Sequence, residues 1–204
     1  GIPTVDVDLE KFPSHAKSLK IQKHKPFIDN FHSNSLNPEW LSLRDSLGDR
    51  LKISNGKLYL KGSTITLSDI ATPSYLAVRQ TEHQENFSVT LDDQSHYTDG
   101  FIGVACMINN THHAALLAQE NENGTYDIYK FITILDLTIN EKIATISNKP
   151  TSFSIKNTIE SKIFICESGD QVITFNIHSM HFSNEAIAAL NTGDVQGIYV
   201  LGNA

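Results

Sequence analysis

The chain has 204 residues, 40% hydrophobic and 19% charged, which is enough for one domain with a full apolar core. A formal net charge of −7 and the lack of a basic stripe argue against a nucleic-acid partner, because little could displace counterions from phosphates. No run of 18 apolar residues occurs, so no membrane-spanning helix is expected, and the first residues lack the basic and apolar regions of a signal peptide.

Residues 1–25 are mixed, charged and weakly periodic, and read as an N-terminal arm or linker. Its basic cluster from Lys17 to Lys25 reads as a solvated tether. Residues 26–204 carry the rhythm of a β domain. Pro38 fixes its own φ and biases Asn37 away from helix, so a turn leads into a short strand around Trp40–Arg44. On that strand Trp40, Ser42 and Arg44 share one face and Leu41 and Leu43 the other, with Trp40 expected in the core. Arg50–Ser54, the turn pair Asn55-Gly56 and Lys57–Leu60 predict a tight hairpin.

Further strands are predicted at Tyr75–Arg79, Phe87–Leu91, Gly100–Ile108, Ala114–Gln119, Tyr126–Phe131 and Ile132–Leu137. The series continues at Lys142–Ile146, Thr151–Ile155, Lys162–Glu167, Val172–Ile177 and Gln196–Leu201. Short strands with turn signals between them point to an all-β fold, a two-sheet antiparallel sandwich or a barrel. No long helical segments separate them, as a parallel α/β fold would need. Ser183–Leu190 is the one helical candidate, with Ser183 as its cap.

Motifs that carry chemistry are sparse. The 23 acidic residues fall mainly in turns, where a carboxylate is ordinarily solvated, so no catalytic pair is assigned. His112 and His113 are adjacent on a strand and face opposite ways, while His178 and His181 would meet only on a helix, and NIHSMHF reads as strand. No side-chain metal site and no cofactor is assigned; a structural calcium held by backbone carbonyls stays open. Nucleophile elbows and phosphate-cradling glycine loops are absent. Cys106 and Cys166 lie in apolar runs and are expected to be free, buried thiols, with a disulfide as the alternative. Sugar stacking would draw on Trp40, Tyr59, Tyr75, His83, Tyr97 and Tyr126, although each also suits a packed position.

Several motifs share one resemblance. Asp29-Asn30-Phe31, Pro38-Glu39-Trp40 with Leu43-Arg44, Leu58–Gly62, Ala77–Gln80, Asp99–Gly103 and Asp194–Val200 occur in that order. This pattern resembles the C-terminal concanavalin A-like β-sandwich (jelly-roll) domain of family 43 glycoside hydrolases, the β-xylosidase and arabinofuranosidase group. The resemblance implies a non-catalytic accessory domain that packs on a separate catalytic propeller of the same protein. It also implies a loop after Arg79-Gln80 that reaches toward the substrate pocket. Arg79 and Gln80 would anchor this loop, Glu82 lies within it, and His83 stands where the family usually has an aromatic residue. Tyr97 completes the set of sugar-binding candidates. An autonomous carbohydrate-binding module and a purely structural interaction or homo-oligomerisation domain remain as alternatives.

Overall fold

The computed structural model describes residues 26–187 and 193–204. The predicted arm at 1–25, with its basic cluster, and the last residues of the helical candidate lie outside the described residues.

The strands are β1 (Leu41–Ser42), β2 (Leu51–Ser54), β3 (Lys57–Leu60), β4 (Tyr75–Arg79), β5 (Asn86–Thr90), β6 (Gly100–Asn109) and β7 (His112–Glu120). They continue as β8 (Tyr126–Ile134), β9 (Leu137–Ile146), β10 (Ser152–Asn157), β11 (Ser161–Ser168), β12 (Gln171–His178) and β13 (Val195–Gly202). A seven-stranded sheet runs β1-β4-β13-β6-β7-β8-β9, a four-stranded sheet runs β12-β11-β10-β5, and β2-β3 form a hairpin. All the strand pairs are antiparallel. The predicted antiparallel sandwich is the observed fold.

Alternation explains the layers. In β10, Phe153, Ile155 and Asn157 are buried, and in β11 Lys162, Phe164, Cys166 and Ser168 are, so every second residue of the small sheet points at the large one. These side chains meet Leu76, Val104, Cys106, Leu116 and Ile128 to form the main core. Both cysteines are free, and burial pushes each thiol up to about 12, so neither is a ready nucleophile.

The large sheet also buries part of its outer face. Leu67, in the segment between β3 and β4, packs with Tyr75, Ala77, Met107, Leu117 and Tyr199 there. This double burial explains why β7 is apolar from Ala114 to Ala118 rather than alternating. Ser68 ties the covering segment down by sharing a 2.9 Å hydrogen bond with Nε2 of His113. His112 points elsewhere, toward Thr111 and Asn109, as its opposite strand parity predicts.

The opening motif has a physical basis. The Asp29 carboxylate accepts the Trp40 indole N–H at 2.9 Å and the Phe31 amide at 2.8 Å. Phe27 and Phe87 meet the Trp40 ring edge-on and Phe31 stacks on it, with centroids 5.7, 6.3 and 5.9 Å away. Trp40 is thereby core, as expected.

The Asn55-Gly56 turn has both residues at positive φ, 55° and 71°, the geometry that matches the twist of a two-residue hairpin. Two strand assignments change. Tyr126–Phe131 and Ile132–Leu137 are not two strands: β8 runs unbroken to Ile134, and the chain reverses at Leu135-Asp136. Leu135 adopts φ 56° there, so an apolar residue hides the turn. The NIHSMHF strand ends at His178, and Ser179–Phe182 form a 3-10 turn that brings the His178 and His181 rings within 6.4 Å. A short helix, α1 (Asn184–Ile187), follows, with the Ser183 hydroxyl accepting the Ala186 amide.

Burial, with a smaller push from His112, lowers His113 to about 4. The unfolded chain takes up this proton near pH 6.5 and the folded chain does not, so stability present above pH 6.5 is lost as pH falls toward 4. His113 is expected to cost about 2 kcal/mol between pH 7 and 5. His113→Gln should flatten that part of the stability–pH curve in urea titrations, and an unchanged slope would count against the buried latch.

Candidate functional site

β4 delivers Arg79 and Gln80 to one end of the sandwich, where the chain turns through residues 80–85 before entering β5. The turn borders a cleft of about 1650 Å³ between the 26–32 segment, the β2-β3 hairpin and β5. Arg79, Thr81, Glu82, Gln84 and Glu85 line the cleft from the loop side, with Tyr59 and Phe31 among the residues opposite. Arg79 and Tyr59 are exposed at the surface, Tyr59 by 48%. His83 lies on the exposed part of the loop.

A buried polar network lies under the loop. Lys162 and Asp194 form an ion pair at 2% and 7% exposure. Lys162 also donates to Oε1 of Gln80 at 2.5 Å and to Oδ1 of Asn157 at 2.8 Å. The Asn157 amide donates to Oε1 of Gln196 at 2.7 Å, and Gln196 donates to Oε1 of Glu85 at 2.6 Å. Gln80 closes the circuit, with its amide N–H on the Asp194 carbonyl at 3.1 Å and its side chain on the Glu82 carbonyl at 2.8 Å. Burial pushes the Asp194 carboxyl up, and the Lys162 ammonium opposes that shift. The chain therefore spans β4, β10, β11 and β13 with charge-assisted bonds in a region shielded from water.

The five predicted site residues separate into two groups. Arg79 ends β4, and Gln80, Glu82 and His83 follow it in the loop; the Gln80 side chain accepts from buried Lys162 and donates to the Glu82 carbonyl, which ties the loop to the core. Tyr97 is corrected: it is 1% exposed, packs against Tyr126 at 5.9 Å and belongs to the main core, so its ring offers no face to a sugar. Trp40, Tyr75 and Tyr126 are buried as well. Among the described residues no three His, Cys, Asp or Glu side chains converge on a point where they could hold a metal ion.

Residues 28–203 match the family model of the β-xylosidase C-terminal concanavalin A-like domain. The chain belongs to this family. No curated protein matches it. Solved structures share its fold at low identity. The Bacteroides ovatus xyloglucan PUL GH43B protein matches with a TM-score of 0.75 and 20% identity over 90% of this chain and 37% of that one. The xylan β-1,4-xylosidase of Bacillus halodurans matches with a TM-score of 0.72 and 17% identity over 90% and 38%. A GH43_12 protein from a capybara gut metagenome matches with a TM-score of 0.72 and 17% identity over 84% and 34%. The chain thus spans little more than a third of the length of these proteins.

Sequence reasoning passed over Glu85, Asn157, Lys162, Asp194 and Gln196. The signal existed in strand parity. Lys162 shares its face with Phe164 and Cys166, Asn157 with Phe153 and Ile155, and Gln196 with Ile198 and Val200. A polar residue on an inward position of each of three strands, two in one sheet and one in the sheet facing it, marks a buried network that must be satisfied.

Removing one member of the ion pair leaves its partner buried without a counter-charge. Lys162→Ala is expected to cost the domain about 3–5 kcal/mol. Lys162→Met with Asp194→Leu should recover most of that loss. Urea unfolding measures both, and a single-mutant cost under about 1 kcal/mol would show the pair to be energetically idle.

Proposed function

We propose that this domain is a non-catalytic accessory part of a family 43 type glycoside hydrolase acting on xylan- or arabinan-derived oligosaccharides. It packs on a separate catalytic propeller of the same protein and helps to shape the substrate pocket through residues 79–84. The observation that carries the reading is the loop itself: it follows the Arg79-Gln80 motif of the family, leaves the sandwich at one end, and rests on a buried ionic network. A loop meant only to join two strands needs no such foundation, whereas one that positions polar groups against a ligand gains from rigidity. The length of the matched proteins agrees with this view, since each has room for a further domain. Glu82 and His83 are the side chains that face the sugar hydroxyls, and Arg79 and Gln80 hold the loop.

A second reading, autonomous sugar binding, draws on the exposed Tyr59 ring in the same cleft as Arg79 and Glu82. Calorimetric titration with xylo- and arabino-oligosaccharides, with hydrolysis followed in the same samples, separates the two. The accessory role predicts neither binding nor cleavage by the 204-residue chain alone. It also predicts a several-fold change in kcat/KM on His83→Ala in the complete enzyme. Binding by the isolated chain would favour the second reading, and unchanged kinetics of His83→Ala would remove the pocket role of this residue.

A further inference from the structure

Glu85 holds a place in the network that a simple turn does not require. Its Oε2 accepts three hydrogen bonds from the loop: the Thr81 amide at 3.2 Å, the Thr81 hydroxyl at 3.1 Å and the Glu82 amide at 3.2 Å. Its Oε1 accepts the side-chain amide of Gln196, a residue 111 positions away and 2% exposed. Its main-chain carbonyl accepts both the backbone N–H of Asn157 at 2.9 Å and the Asn157 side chain at 3.2 Å. One residue therefore closes the loop locally and bolts it to β10 and β13.

A carboxylate that only capped a turn would leave its second oxygen in solvent. Here that oxygen is drawn inward by an amide whose other end is held, through Asn157, by the Lys162–Asp194 pair. Gln80 restrains the loop from its other end, through Lys162 and the Glu82 carbonyl. The two restraints converge on Thr81 and Glu82, directly before His83. Few apolar contacts are available there, since residues 81–84 are all exposed, so hydrogen bonds set the loop's conformation.

We propose that Glu85 is the positioning residue of this loop: its carboxylate holds the Thr81 and Glu82 amides against the β10–β13 network and so fixes how Glu82 and the adjoining His83 are presented to the oligosaccharide. The inference rests on the pocket-shaping role argued above. Glu85 touches no reacting atom in it and acts through His83 and Glu82.

The test uses the complete enzyme. Amide hydrogen exchange at Thr81 and Glu82 is expected to speed up on the order of tenfold in Glu85→Ala, as each loses its acceptor, while β10, β11 and β13 stay protected. Thr81→Val, which removes one hydroxyl and leaves the buried bonds in place, serves if Glu85→Ala fails to fold; it should speed exchange at the same amides by a smaller factor. In steady-state kinetics Glu85→Ala should raise KM several-fold, and the increase should vanish in a His83→Ala background, because both act through one loop. Unchanged exchange at Thr81 and Glu82 would overturn the clamp. Freed amides with additive effects on KM would overturn its role in presenting His83. Freed amides with kinetics untouched by either substitution would leave the clamp standing and sink the pocket-shaping role instead.

Discussion

A buried ammonium–carboxylate pair between two β-sheets is the constraint on which the loop-bearing end of this domain depends. Lys162 and Asp194 are almost completely removed from water, and each alone would be costly there. They persist with the Lys162 ammonium fully paired: beside Asp194 it reaches Gln80 and Asn157, and Asn157 passes the restraint to Gln196 and Glu85. An apolar filling of the same space would add stability without direction. The polar one fixes the relative position of β4, β10, β11 and β13 at the point where the 80–85 loop departs.

The rest of the sandwich gives that arrangement a rigid base. Phe153, Ile155, Phe164 and Cys166 interleave with Val104, Leu116 and Ile128 between the sheets. On the far side of the large sheet, the Leu67 segment and its Ser68–His113 bond bury a second apolar layer. β4 and β13 are therefore packed on both faces, with Tyr75 and Tyr199 at 0% and 4% exposure on the outer one. The loop leaves a framework that cannot easily shift beneath it. The family's opening motif serves the same end, because Asp29 fixes Trp40 and Phe31 on the wall of the cleft that the loop borders.

Local chemistry made much of the fold legible. Strand alternation and the Asn55-Gly56 turn foretold the β strands and the first hairpin, and the Trp40 and Arg79-Gln80 motifs pointed to the family. Failures occurred where a local signal was missing or misleading. Leu135 gave no sign of a turn because it is apolar, yet it takes a left-handed conformation that the pairing of β8 with β9 demands. Tyr97 looked like a sugar platform because a tyrosine ring suits both a surface and a core, and only its neighbours decide between them.

The site divides in the same way. Arg79, Gln80, Glu82 and His83 are consecutive or nearly so, and the sequence alone determined that a loop carrying Glu82 and His83 follows the Arg79-Gln80 strand end. Parity, a local property of an extended chain, also sets Lys162 on one face with Phe164 and Cys166 and Gln196 on one face with Ile198 and Val200, whereas Asn157 lies beyond the predicted end of its strand at Ile155. Which of them meet was decided by tertiary structure. Glu85 lies 111 residues from Gln196 and Gln80 lies 82 from Lys162, and nothing along the chain pairs them. Sheet order and register bring β13 beside β4 in one sheet and β10 beside β11 in the other. The packing of one sheet on the other then sets lone polar groups within hydrogen-bond reach, where low dielectric makes satisfaction obligatory.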